Sequence, residues 1–194
     1  MVHWIAENTN LFLEIIAVAL GIAYVVLIAK NKVSGWIFGT IGSLVSILLF
    51  IRIKLYAEAV LYAYYVYAGI QGFILWKQQE DTAVTYKGNL KFHSIKMLIG
   101  ISLSFCLYFL LSKIFPDAAR PLIDSFTTIF SFIATYLTIK KYIENWIYWI
   151  IVDGLTVYLY FSRDLYIYAG LMVAYTIIAL FGYLEWRKLK VIAK

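Results

Sequence analysis

Seven long apolar stretches separated by short polar breaks organise the chain, at residues 10–29, 34–51, 57–76, 95–114, 121–139, 145–162 and 165–186. An α-helix rises about 1.5 Å per residue, so about 20 apolar residues cross a hydrocarbon core of about 30 Å. The pattern predicts an all-α integral membrane protein with seven transmembrane helices. From Leu11 to Ala29 the only charge is Glu14, and from Ile95 to Leu111 it is Lys96. The second and sixth stretches are short and interrupted by glycine, which leaves their ends open. The polar segment 77–94, with Gln78-Gln79-Glu80-Asp81, reads as a loop.

Composition agrees with lipid as the solvent. Hydrophobic types make up 63% of the 194 residues and charged types 14%, against about half and a quarter in soluble domains. The first ten residues hold no Lys or Arg, so no cleavable signal peptide is expected. The single Cys106 lies in an apolar run and reads as packing. His3 and His93 are expected outside the spans. There is no phosphate-binding loop motif, no Cys/His spacing suited to a metal, and no nucleophile with an acid/base partner at depth. ATP-driven transport by this chain, a resident cofactor and enzymatic chemistry are therefore not expected.

The net charge of +6 is unevenly placed. With the N-terminus on side one, that side holds Arg52, Lys54, Lys113, Arg120 and Arg163. Side two holds Lys30, Lys32, Lys77, Lys87, Lys91, Lys96, Lys140, Lys141, Arg187, Lys188, Lys190 and Lys194. The positive-inside rule then predicts the N-terminus out and the C-terminus cytoplasmic. Basic residues dispersed along membrane-flanking loops argue against nucleic acid as a partner.

The chain also repeats itself at a spacing of 110 residues. Trp36 falls on Trp146, Tyr65 on Tyr175, Gly72 on Gly182 and Trp76 on Trp186. Leu55-Tyr56 falls on Leu165-Tyr166, and Glu14 on Asp124. Two three-helix repeats, 10–76 and 121–186, joined by a linker helix at 95–114, are expected to form one transmembrane domain over 1–194. This is a 3+1+3 parallel-repeat arrangement like that of SWEET proteins, in which a substrate site commonly lies near the midplane between the halves.

Candidate chemistry concentrates in the sixth stretch. Seven residues separate Trp146 from Asp153, about 10 Å along a helix started by Asn145 as cap. A carboxyl at that depth costs about 2.5–3.5 kcal/mol on insertion and usually faces a cavity or a partner. At about 100° per residue, Trp146, Trp149, Asp153, Thr156 and Tyr160 share one arc. Two indoles and a carboxylate suit a flat heteroaromatic cation. An interfacial aromatic belt is the plainer reading for Trp146. On the matching face of the second stretch Gly39 replaces Trp149 and Ser43 replaces Asp153, leaving Trp36 and Thr40 as candidate pocket residues. Gln71 is a further polar candidate, while Glu14, Asp124 and Glu58 read as helix-start carboxylates.

The stretch Lys141-Tyr142-Ile143-Glu144-Asn145-Trp146, continuing to Trp149 and Asp153, resembles the signature of the PnuC family of vitamin transporters. The Leu55-Tyr56-Ala57 and Leu165-Tyr166 segments and Trp186 are similar too. The resemblance implies a SWEET-like fold, a bacterial inner membrane, a homotrimer, and facilitated diffusion with the substrate trapped inside by a kinase. It places Trp36, Thr40, Trp146, Trp149 and Asp153 at pocket positions. Nicotinamide riboside carriers of this type usually have Asn where Asp153 stands, and Asn near positions 69 and 181, here Gly69 and Phe181. A carboxylate only accepts hydrogen bonds, which suits an aminopyrimidine beside a thiazolium. Thiamine, carried by the PnuT branch, is the first expectation, nicotinamide riboside the second, and neutral riboflavin a weaker one.

Overall fold

The computed structural model describes residues 2–52, 56–79, 84–114, 120–162 and 166–193. Leu55, Leu165, Lys54, Arg163, Lys194 and the Glu80-Asp81 pair lie outside the described residues. The described chain forms α1 (Val2–Ala29), α2 (Ser34–Arg52), α3 (Tyr56–Lys77), β1 (Val84–Lys87), α4 (Leu90–Ile114), α5 (Pro121–Ile139), α6 (Asn145–Phe161), α7 (Tyr166–Trp186) and β2 (Lys190–Ala193). Each of the seven apolar stretches holds one of these helices. Five of these helices are long and apolar enough to cross a membrane, in α1, α2, α4, α5 and α7. α6 has 17 residues, about 25 Å of helix.

Three expectations about the ends need correction. α1 starts at Val2 and α4 at Leu90; His3 stays outside the apolar span Thr9–Ala29 as expected, whereas His93 falls inside the span Leu90–Ile114. For α4 the cause is local: the Asn89 side-chain oxygen accepts from the Phe92 N–H at 2.9 Å, an N-cap that starts the helix early. Asn145 does not cap α6, because Glu144 occupies the cap position and makes no side-chain cap bond. The polar segment before α4 was expected to be loop throughout, yet it contains β1. β1 pairs in parallel with β2, Val84 opposite Lys190 and Lys87 opposite Ala193.

The chain divides into two compact units, 1–82 and 83–194. In the first, α1 packs on α2 and α2 on α3. In the second, α4 packs on α5, α5 on α6, and α6 on α7. Polarity is inverted relative to a water-soluble domain. Leu98, Phe109 and Phe181 are exposed, whereas Ser43, Ser46, Ser104, Ser131 and Thr138 are buried. Helices in lipid pack through small side chains that allow close approach, and their hydroxyls satisfy themselves internally. Thus Ser46 donates to the Gly42 carbonyl, Ser104 to Gly100 and Ser131 to Thr127, each one turn back.

The α1–α2 and α5–α6 turns are built alike. Asn31 (φ 54°) and Lys141 (φ 55°), 110 residues apart, both adopt the left-handed conformation that ends a helix. The same bonds follow at each. Asn31 N–H donates to the Ile28 carbonyl at 2.9 Å and Lys32 N–H to Leu27 at 2.9 Å; Lys141 donates to Thr138 at 3.0 Å and Tyr142 to Leu137 at 2.9 Å.

Candidate functional site

The tryptophans are placed first, because they set the helix spacing. In the first unit Trp36 of α2 meets Trp76 of α3 edge to face, with centroids 5.4 Å apart at 87°. In the second unit Trp146 of α6 meets Trp186 of α7 at 5.4 Å and 86°. Each inner indole lies against a glycine of the last helix in its set. A Cβ at Gly72 would collide with the Trp36 ring, and one at Gly182 would come within 2.6 Å of Trp146. Both indole nitrogens are buried without a hydrogen-bond partner among the described residues. Trp36 and Trp146 are therefore wedged between helices of their own unit. Thr40 is turned inward as well. Its hydroxyl donates to the Trp36 carbonyl at 2.7 Å and occupies the space that a side chain at position 69 would need. Gly69 is thus dictated by close approach of α2 and α3, while Phe181, the other departure, is 61% exposed. Gln71 is half-buried on α3.

Trp149 points a different way from Trp146. Its indole N–H donates to the Thr138 hydroxyl of α5 at 3.2 Å, and its ring packs against a core that includes Phe130, Ala134, Tyr148 and Val152. Thr138 is also within bonding distance of the Ala134 carbonyl (2.9 Å) and the Asn145 side-chain oxygen (3.1 Å). The Asn145 amide donates to the Tyr142 carbonyl at 2.6 Å, and Asn145 has no exposed surface. Asp153, two turns further along α6, is 7% exposed. Tyr175 of α7 lies within electrostatic reach of its carboxyl. On α6 the second unit thus carries an indole anchored to α5 and, one turn further along, a buried carboxyl with Tyr175 of α7 in its reach. A buried carboxylate favours a cationic or hydrogen-bond-donating guest, and an indole face favours a flat one.

The turn before α6 is braced from outside. Tyr86 of β1 donates through its N–H to the Lys141 carbonyl and accepts from the Ile143 N–H, both at 2.9 Å. The Tyr142 ring stacks on Phe92 at 4.8 Å. Burial holds the Lys141 amine below its ordinary range. It raises the Tyr142 phenol, with Tyr136, Glu144 and Tyr86 adding to the rise. Glu144 accepts from the Gly88 N–H at 3.2 Å and lies 3.6 Å from His93. Grooves of about 350 and 320 Å³ run along α4, α5 and α6. Their walls, such as Ile101, Phe126 and Ile151, are largely apolar, and neither groove includes Trp149 or Asp153. Among the described residues no group of His, Cys, Asp and Glu could hold a metal ion.

Sequence reasoning missed Thr138, the inward role of Asn145, and Tyr175. Thr127, Ser131, Thr135 and Thr138 recur at helical spacing and are all buried along α5, a hydroxyl stripe that could have been found. Tyr175 was already visible as the repeat partner of Tyr65.

Known proteins place these features in context. Residues 11–188 match the family model described as nicotinamide mononucleotide transporter. A nicotinamide riboside transporter PnuC from Neisseria mucosa is 28% identical over 94% of this chain and 74% of its own. One from Haemophilus influenzae is 30% identical over 94% and 82%, and one from Escherichia coli 24% over 90% and 84%. The crystal structure of the vitamin B3 transporter PnuC aligns with a TM-score of 0.72 at 24% identity, covering 95% of this chain and 86% of that one.

Proposed function

Because the chain belongs to the nicotinamide mononucleotide transporter family, we propose that it carries nicotinamide riboside across a bacterial inner membrane. Thiamine, the first expectation from the sequence, gives way to the second, since the relatives named above are nicotinamide riboside transporters. The observation that carries the reading is the buried Asp153 carboxyl, one helical turn beyond the anchored Trp149 indole on α6. The substrate's pyridinium ring is flat and cationic, so it fits against an indole with a carboxylate near it. Its carboxamide N–H groups and ribose hydroxyls are donors that a carboxylate can accept. The same carboxylate disfavours a phosphate monoester, so the riboside is preferred over the mononucleotide. A kinase inside the cell then traps the product, and transport needs no coupled ion.

Trp149 and Asp153 are proposed as direct contacts and Gln71 as a further polar one. Trp36, Trp146 and Thr40, expected at pocket positions, act in this reading by setting the helix spacing, since both rings are enclosed by packing and the Thr40 hydroxyl is bonded within its own helix. The 3+1+3 arrangement is supported by the matching turns at Asn31 and Lys141. The cytoplasmic side is assigned to the Lys-rich loops, and a homotrimer follows from the resemblance.

The test is calorimetric binding of nicotinamide riboside, thiamine and the mononucleotide to the detergent-purified protein, with Asp153→Asn beside wild type. The expected outcome is binding of the riboside, with the mononucleotide at least about tenfold weaker. Thiamine binding that is tighter, and lost in Asp153→Asn, would restore the order the sequence suggested. A mononucleotide that binds as well as the riboside would remove the role given to Asp153.

A further inference from the structure

Substrate affinity at an aromatic wall depends on how firmly the ring is held, since a loose ring loses freedom on binding. The Trp149 indole is held from another helix. Its N–H donates to the Thr138 hydroxyl on α5 at 3.2 Å. A hydroxyl has one proton to give and two lone pairs. Here the lone pair takes the indole N–H, and the proton is shared between the Ala134 carbonyl at 2.9 Å and the Asn145 side-chain oxygen at 3.1 Å. Asn145 is itself oriented, because its amide donates to the Tyr142 carbonyl at 2.6 Å. That bond fixes which end of the amide faces Thr138. With its oxygen turned to the hydroxyl, Asn145 competes for the Thr138 proton and leaves the lone pair for Trp149.

We propose that Thr138 and Asn145 are positioning residues that set the tilt of the Trp149 indole and thereby the affinity for the flat ring of the substrate. The proposal rests on the reading that Trp149 contacts substrate. Thr138 touches the indole and Asn145 touches Thr138, and neither is assigned a contact with the ligand. The first unit has no such relay at the matching positions, Ile28, Gly35 and Gly39.

The experiment is a double-mutant cycle between Thr138→Val and Trp149→Phe, read by calorimetric binding of nicotinamide riboside. Valine keeps the shape of threonine and removes the hydroxyl, and phenylalanine keeps a ring but has no N–H to donate. Thr138→Val is expected to weaken binding about 5- to 10-fold in the wild-type background. In the Trp149→Phe background it should change binding by less than about 2-fold, because the bond is already gone. Thr138→Ser should restore most of the affinity. An equal loss in both backgrounds would show that Thr138 acts on the fold alone and would overturn the relay. Trp149→Phe that binds like wild type would overturn the contact assigned to Trp149 and the relay with it. A readout independent of substrate is the Trp149 indole N–H resonance of the apo protein, assigned by its absence in Trp149→Phe. It should shift and exchange faster in Thr138→Val and stay in place in Thr138→Ser. A resonance unmoved by Thr138→Val would also sink the proposal, even if binding fell.

Discussion

The two three-helix sets, α1–α3 and α5–α7, share a frame and differ in what they put inside it. Both end their first helix in a left-handed residue, and both lock an indole edge to face over a glycine. The contents are exchanged. In the first set Tyr24 on α1 fills the space over Gly39, where a Cβ would come within 2.6 Å of its ring. In the second, the matching positions hold Ala134 and Trp149, so the large ring comes from α6 instead. Thr138 and Asn145 stand where the first set has Ile28 and Gly35, which touch as plain apolar neighbours. Asp153 stands where the first has Ser43. A repeated frame can therefore hold structure constant while one copy acquires a polar, ring-presenting interior.

The strongest way to test the shared frame is to add a methyl where the indoles lie. Gly72→Ala and Gly182→Ala should each destabilise by about 3 kcal/mol or more, since neither ring has room to retreat. Gly154→Ala and Gly170→Ala, where a Cβ would meet nothing within 4 Å, should be neutral or slightly stabilising. Thermal unfolding in detergent separates the two pairs. If Gly72→Ala melted like Gly154→Ala, the frame would not be what holds these helices.

Next in size is the contrast in content. Asp153→Ala should weaken nicotinamide riboside binding at least about tenfold, as loss of a charge-assisted contact does, while Ser43→Ala should leave it within about 2-fold. Equal effects in a calorimeter would mean that both copies bind. Converting the second set to the first with Ala134→Tyr and Trp149→Gly together should abolish binding. It should also leave a folded protein, because the ring volume is restored from the opposite helix; Trp149→Gly alone should be less stable by roughly 3 kcal/mol.

The smallest effect concerns the turns. Lys141→Gly should stabilise by up to about 1 kcal/mol, since lysine tolerates the left-handed region poorly, and Asn31→Gly by less, since asparagine tolerates it better. The buried Lys141 amine adds a sign. Its pKa is lowered in the folded chain, so folding favours the neutral amine. Stability should therefore rise as the pH climbs from that lowered value towards the ordinary 10.5, and the rise should flatten in Lys141→Gly. Melting curves across the alkaline range decide it.

Much of this comparison could be read in the residues themselves. The helices follow from uninterrupted apolar runs, and α5, bounded by Pro121 and the polar Lys140-Lys141, was placed to the residue. The repeat was legible because Trp and Gly are too uncommon to coincide by chance. What escaped depended on direction. Helical phase put Trp146 and Trp149 on one arc, yet a few tens of degrees send one indole to α7 and the other to α5. Asn145 was legible as a cap by type, but a neighbouring hydroxyl claimed its side chain. The β1–β2 pair left no signal, since four-residue strands in polar flanks have no period long enough to count.

That strand pair also has a place in time. β1 leaves the ribosome about a hundred residues before β2 exists to receive it. At about 5–20 residues per second the wait is about 5–20 s. During it α4 to α7 enter the membrane with the Tyr86 edge still lacking β2. The brace on the α5–α6 turn is thus completed last, and a nascent chain halted inside α7 would hold every helix start of the second unit without the strand that pairs with β1.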